Sequence, residues 1–526
     1  MTTRRGFLAG MATALSIPAV GRAQGASVLK FAPQSDVAIL DPIMSVSYVT
    51  RNHAFLIFDT LYGADENNRA QPQMVEGHRV ERDGLEWTLT LREGLRFHDG
   101  SPVLARDVVA SIQRWWKRDN VGQVLAGITD ELSAVSDRAV RFRLKVPFPM
   151  LPDALGKFGT NNAVIMPERL ARTEATVQVT EMVGSGPYRF LPQERVPGSR
   201  LVYEKFGGYV PRAGGQTSAL AGPKVAHFDR VEWHVMPDVA TAAAALQKGE
   251  IDWWEQPASD YWKLLAGNRN IKLDQIDTFG SAGVIRFNFL QAPTSNVLIR
   301  RAALAAISQR DVMTAVIGEE KDRWRDKVGF FLPGTPMAST VGIDALKEPP
   351  DPATARRLLA EAGYKGEPLV FLVPGDIATI KTQGEVVTDA LQKAGFTIDM
   401  QVMDWGTVLA RANNRQEASK GGWHLIGTFT AGVGLLNPSS NNFLRGSGTS
   451  AIFGWSDIPK LEELRSAWFR APTVEAQAAI CAEIQRVAFD TLPYAPTGLY
   501  FQQTAYRSNL TGVQKGLPLF YGVRRT

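Results

Sequence analysis

The sequence predicts an α/β protein of more than one domain, and three observations carry that prediction. The chain has 526 residues, more than a single compact core holds. Strand and helix signals alternate from about residue 27 onward. Residues 369–373, a helical stretch near 379–394 and residues 398–402 read as a β-α-β unit, which implies parallel strands joined by a right-handed crossover.

The elements follow in chain order. Residues 1–26 read as an export signal. Thr3-Arg4-Arg5-Gly6-Phe7-Leu8 resembles a twin-arginine motif, residues 7–20 are apolar and uncharged, and Gly21-Arg22-Ala23 offers small residues for cleavage. That run is too short to span a bilayer, and no later run reaches the roughly 18 apolar residues a span needs. No Cys follows it, so no lipid anchor is expected. Residues 28–32 form a short apolar strand leading to Leu40-Asp41-Pro42. Val108, Val109, Ile112, Trp115 and Trp116 fall at helical spacing, in a helix that Pro102 is expected to open. Val140, Phe142, Leu144 and Val146 alternate with Arg141, Arg143 and Lys145, and Val231, Trp233 and Val235 with Glu232 and His234. That is the period of a half-buried strand. Gly and Pro cluster at 206–223, which reads as a surface loop. Asp351-Pro352 opens a helix as N-cap and first-turn proline, and Gly363 stops it.

Composition narrows the function. Hydrophobic residues make up 44% and charged residues 21%, ordinary for a globular protein. The formal charge is +5, and Arg4, Arg5 and Arg22 of the leader supply three of those charges. The remainder does not suggest a nucleic-acid partner. The single cysteine, Cys481, lies mid-helix with no nearby His in sequence and reads as a small core hydrophobe. No GxxxxGK[ST] or GxSxG motif is present, and Gly432-Val433-Gly434 starts like a dinucleotide-binding turn but meets Asn437 at its sixth position. The six His residues form neither HExxH nor a close pair. His98-Asp99-Gly100 reads as a turn, because Asp and Gly supply turn chemistry. No catalytic residue, metal or cofactor is predicted. A secreted enzyme remains the other class open at this point, and a chelate or haem binder a third.

Several stretches then occur in a telling order. They are Leu40-Asp41-Pro42; Leu91-Arg92-Glu93-Gly94-Leu95-Arg96-Phe97-His98-Asp99-Gly100-Ser101-Pro102 with Ala105-Arg106-Asp107-Val108-Val109; and Val183-Gly184-Ser185-Gly186-Pro187-Tyr188. Further on come Ala245-Leu246-Gln247-Lys248-Gly249-Glu250-Ile251-Asp252, Phe287-Asn288, Arg300-Arg301-Ala302-Ala303-Leu304-Ala305-Ala306-Ile307 and the 351–364 helix. Together they resemble the family-5 extracellular solute-binding proteins, the ligand-capturing components of peptide/nickel-type ABC importers. The resemblance implies a two-lobed periplasmic binding protein fold with an extra subdomain in the first lobe. The expected boundaries are 27–55, 185–278 and 490–526 for lobe I, 56–184 for the extra subdomain, and 279–489 for lobe II. It further implies a monomer without enzymatic activity that closes around a small solute and docks on permease subunits in the inner membrane.

The same resemblance suggests where the ligand lies. Peptide-binding members hold the peptide's amino group with an acid in a segment matched here by Thr428-Phe429-Thr430-Ala431-Gly432-Val433, where Gly432 takes the acidic position. Without that acid a free-amine peptide is disfavoured, because an unpaired buried ammonium costs several kcal/mol. Asp404 and Glu255 are the other acids that could serve. The candidate ligand-binding residues are Ser45, Ser47 and Tyr48 after the first strand, Trp253 and Trp254, Arg286, Trp405, Phe429, Thr430 and Gly432. Each aromatic suits a core better than a site, and Arg286 equally suits a structural ion pair.

Overall fold

The computed structural model describes residues 27–471 and 473–526; the export-signal reading lies outside them. Three larger sheets organise the chain. The first has seven strands. Val28–Ala32 lies near its middle, with Arg230–His234, Arg200–Lys205 and Tyr188–Phe190 on one side and Trp253–Trp254, Thr504–Arg507 and Ile271–Asp274 on the other. The second has six strands in the order Trp324–Arg325, Tyr494–Tyr500, Ser281–Phe287, Leu425–Ala431, Leu369–Pro374 and Ile398–Met403. A four-stranded antiparallel sheet, Val75–Glu81, Glu86–Leu91, Ala139–Leu144 and Thr129–Ala134, forms the subdomain attached to the first sheet.

The local reasons are those of the sequence. In Ala139–Leu144 the alternate residues Val140, Phe142 and Leu144 are buried, while Arg141 and Arg143 reach across to Glu131 and Asp130 on the neighbouring strand. Val231 and Trp233 are buried in the first sheet's core, and Glu232 and His234 are half-buried. Leu369–Pro374, the helix Ala378–Lys393 and Ile398–Met403 make the β-α-β unit, with Leu369 paired in parallel to Ile398. In the helix Pro352–Glu361, the Thr354 backbone amide donates to Asp351 Oδ1 at 2.9 Å. Cys481 is buried in the helix Val474–Thr491, and burial pushes its thiol up to about 12.

Three expectations are corrected. The helix carrying Val108 begins at Ala105, where the Asp107 carboxylate accepts the Leu104 amide, so Pro102 precedes it without opening it. The 206–223 loop is not wholly superficial, since Ala219, Leu220 and Ala221 are buried and the first two pack with Phe55, Phe158 and Tyr521. The Gly184-Ser185-Gly186 turn is a tight connection. It packs on the end of the helix Tyr48–Ile57, where a Cβ at Gly184 would lie 2.2 Å from the Ile57 carbonyl oxygen. Finally, Tyr494–Tyr500 is a strand of the second sheet, so the return to the first sheet comes at 501–503 rather than 490. The two crossings are therefore residues 275–280 and 501–503, side by side.

Candidate functional site

A cleft of about 270 Å³ runs between the two larger sheets, roofed by the subdomain. One wall starts where the first strand gives way to the helix Tyr48–Ile57, placing Ser47 and Tyr48 at that helix's start. The other wall comes from the helix Trp405–Ala412, whose start is fixed by the Thr407 amide donating to Asp404 Oδ1 at 3.0 Å, and from the end of the strand Leu425–Ala431. The walls touch. Trp405 Nε1–H donates to Ser47 Oγ at 3.1 Å. The Ala431 amide donates to the Tyr48 hydroxyl at 2.5 Å, and that hydroxyl lies 3.4 Å from Thr430 Oγ1. The Tyr48 and Phe429 rings lie 5.3 Å apart. At the far end Asn120 Nδ2–H of the subdomain donates to Asn442 Oδ1 at 2.9 Å.

Ser47, Tyr48, Trp405, Phe429 and Thr430 are thus brought together on the cleft. Ser45 lies just outside, in an adjoining crevice, where its hydroxyl accepts the Ser47 amide. The remaining candidates lie elsewhere. Trp253 is fully buried in the first lobe's core against Phe31 and Phe520, and its Nε1–H donates to Thr504 Oγ1 at 2.7 Å; Trp254 is likewise buried. Arg286 is fully buried inside the second lobe. It donates to the carbonyls of Phe453, Phe443 and Pro493 and to Ser456 Oγ, and burial pulls its pKa down to about 9. It serves neither a ligand nor an ion pair, but ties four backbone and hydroxyl oxygens together. Gly432 packs on the crossing segment, where a Cβ would lie 2.0 Å from the Phe279 carbonyl oxygen, so no acid fits there.

The charged groups at the site come mostly from residues that the sequence did not single out. Asp153 lines the cleft together with Lys157, and Lys157 is ion-paired to the buried Asp119. Burial raises the Asp153 carboxyl, partly offset by the Ala70 amide. The adjoining crevice carries Lys117, Arg118, Arg415 and Arg445 against Asp119 alone, and Arg445 Nε is buried without a partner among the described residues. Behind the Tyr48–Phe429 pair, Arg51, Glu255 and Asp277 line a smaller cavity. Glu255, which directly follows the two tryptophans, is one of the two other acids the sequence reading named. Asp277 sits in an Asp-Thr-Phe-Gly turn at the crossing, a turn signal that carried no hint of a cavity.

Among the described residues, no three His, Cys, Asp or Glu side chains gather as metal ligands, and no helix is long and apolar enough to cross a membrane. A sequence model of the bacterial extracellular solute-binding proteins, family 5 (middle region), matches residues 69–451. The chain belongs to that family. A relative from Sinorhizobium fredii, a probable peptide ABC transporter periplasmic-binding protein named y4tO, is 33% identical over 99% of this chain and 98% of its own. The glutathione-binding protein GsiB of Salmonella typhi is 24% identical over 96% of this chain and 95% of its own. Among solved structures, the binding protein AgaA of Agrobacterium tumefaciens R10 with agropinic acid superposes with a TM-score of 0.78 at 20% identity, covering 95% of this chain and 99% of that one. DppA of Helicobacter pylori, bound to the peptide STSA, also scores 0.78 at 20% identity, covering 95% and 98%. The fold is that of the two-lobed family-5 solute-binding proteins, and the cleft lies between the two lobes.

Proposed function

We propose that this chain captures a small peptide-like solute in the interlobe cleft and hands it to the permease subunits of an ABC importer, acting in the periplasm as a monomer that binds without converting. The carrying observation is the cleft itself, walled by side chains from both lobes that also hydrogen-bond across it. A solute there would touch Ser47, Tyr48, Trp405, Phe429 and Thr430. The aromatic surfaces would cover its apolar parts and the hydroxyls its polar ones, the usual make-up of small-molecule sites. The basic crevice next to the cleft suits a solute with an anionic end. Names among the relatives and fold neighbours, which include peptide, glutathione and agropinic acid binders, support a small polar solute. Export by the twin-arginine route is part of the same reading, resting on Arg4 and Arg5.

The test is mass spectrometry of whatever co-purifies, followed by titration of that compound into stripped protein. At 100 times its Kd it adds about 2.7 kcal/mol of apparent stability, and small-angle scattering shows compaction. A saturating solute that leaves the radius of gyration unchanged overturns capture by lobe closure. Substituting Lys for both Arg4 and Arg5 abolishes periplasmic accumulation if the export reading holds; an unchanged periplasmic yield refutes it.

A further inference from the structure

The crevice beside the cleft measures about 500 Å³ and lies between the subdomain and the second lobe. Val46, Asn442, Ile452 and Phe453 line both hollows and stand between them. The Asn120–Asn442 hydrogen bond ties that partition to the subdomain. The crevice is therefore a compartment with its own chemistry. The subdomain brings Lys117 and Arg118, which lie just before the helix Asn120–Ile128. The second lobe brings Arg415, just past the helix Trp405–Ala412, and Arg445.

These cations meet little opposing charge. Asp119, the one acid on the wall among the described residues, is already engaged. Its Oδ1 accepts the Val121 and Gly122 amides at 3.0 and 2.9 Å, and its Oδ2 takes Lys157. Nearby, Glu462 is paired with Arg465, whose Nη1–H donates to Oε1 at 3.1 Å. Those are two neutral pairs. Arg445 feels both acids but hydrogen-bonds to neither. It is half-buried, and neither Nη1 nor Nη2 makes a hydrogen bond among the described residues. The exposed Arg118 side chain likewise donates to none of them. Arg415 gives one N–H to the Thr449 carbonyl at 2.9 Å and lies over the Trp455 ring at 5.3 Å. Lys117 faces Glu174 at 3.8 Å in solvent. Three guanidinium groups, from both lobes, thus share one hollow without a counter-ion.

We propose that this crevice binds a free oxyanion of the phosphate or sulfate class between Arg118 of the subdomain and Arg415 and Arg445 of the second lobe, and that the ion pins the lobes together beside the solute rather than as part of it. Closing the lobes moves like charges toward one another, which costs energy unless an anion lies between them. A guanidinium has donors only, so a group made of acceptor oxygens and negative charge meets both needs at once. Arginine suits such oxyanions because its fork of N–H groups matches their oxygens. The volume leaves room for the ion and waters that bridge it to the more distant cations. An ion that needs both lobes favours the closed form, and whatever closes the lobes tightens the ion by the same factor. The anionic end of a solute offers the same oxygens but must pass the partition to reach the crevice. The site itself does not depend on which solute occupies the cleft.

Inorganic phosphate is the probe. Phosphorus NMR of phosphate at pH 8, with sodium chloride holding ionic strength constant, is expected to show line broadening by wild-type protein stripped of solute. Arg445→Gln is expected to weaken phosphate binding by about tenfold or more, because a sheltered charge-assisted contact is lost, and Arg118→Gln by about threefold. Arg118 is exposed, so its variant keeps the test open should Arg445→Gln not fold. Small-angle scattering is expected to show that phosphate compacts the wild type more than it compacts either variant. Broadening that is absent in the wild type, or undiminished in both variants, overturns the site. Broadening without compaction overturns the bridge between lobes. A last arm adds the co-purified compound to phosphate-loaded protein. Phosphate that stays bound, or binds more tightly, supports a free ion. One-for-one displacement overturns it, because the crevice then belongs to the solute, and the solute-binding reading stands. If phosphate binds through Arg445 while no solute closes the lobes, the crevice stands and the solute-binding reading falls.

Discussion

Arg286 occupies a position that sequence alone could not interpret, because a ligand's carboxylate and a ring of backbone carbonyls make the same demand of a guanidinium. The structure places it among three carbonyls and a serine hydroxyl at full burial. Replacing it with Leu strands those oxygens, each worth about 1–3 kcal/mol when left buried and unpaired. Arg286→Leu is therefore expected to lower unfolding free energy by about 3 kcal/mol or more in urea titration, while folded protein keeps its solute affinity. A loss of affinity at unchanged stability would return Arg286 to the ligand. His53 offers a residue-level test of pH dependence. It is fully buried, its Nδ1 lies 2.8 Å from the Tyr203 hydroxyl, and burial, assisted by Arg195, pulls its pKa down to about 3. The folded state thus holds it neutral while the unfolded chain protonates near 6.5. Its contribution is complete above that value and is lost as pH falls toward 3, at up to about 1.4 kcal/mol per pH unit. His53→Gln is expected to flatten the acid limb of stability in that window, read from urea midpoints at half-unit steps. An unchanged limb would place its acid sensitivity elsewhere.

At the scale of elements, the parts legible in sequence are those specified by neighbours in sequence. The Asp351-Pro352 start depends on an Asp, a Pro and an amide three residues on, and the helix Pro352–Glu361 starts there. Asp351→Ala is expected to cost about 1 kcal/mol, measured as a shift in denaturant midpoint. The β-α-β unit was legible for the same reason. Tyr494–Tyr500 was not, because it is buried on both faces, and a strand buried on both sides carries no period that says which sheet it joins. Part of the cleft wall, Ser47 with Tyr48 and Trp405 with Phe429 and Thr430, could be read from strand ends. The smaller cavity behind the Tyr48–Phe429 pair could not, since Gln34, Arg51, Glu255, Asp277 and Gln503 meet only once both crossings are in place. Gly432 shows the opposite error: its missing side chain was read as missing chemistry, whereas it permits close approach to Phe279. Gly432→Asp is accordingly expected to destabilise the protein by about 2–3 kcal/mol, as overpacking does, without improving affinity for any amine. Tighter amine binding at full stability would show that the crossing yields.

Across the cleft, hydrogen bonds from Trp405 to Ser47, Ala431 to Tyr48 and Asn120 to Asn442 join the lobes, and outside it Ser259 Oγ–H donates to the Val316 carbonyl at 3.1 Å while Trp262 packs into the second lobe's core. Asn442→Ala removes the one farthest along the cleft and leaves both lobes intact. A net hydrogen bond of about 1 kcal/mol predicts roughly fivefold weaker solute binding, carried by faster release, in stopped-flow experiments. Unchanged release would mean that this pair does not hold the lobes together. The pairing of Ser281 with Tyr500 on adjacent strands has a consequence for how the chain is made. The second lobe is one uninterrupted stretch whose ends meet, so its sheet is complete once residue 500 has left the ribosome. The first lobe waits: Thr504–Arg507 lies between Trp253–Trp254 and Ile271–Asp274, and that seam stays open until the last segment is synthesised. Domains tend to fold in the order of their synthesis; here the half that begins first is the half that finishes last, with the younger lobe formed before the older one can close.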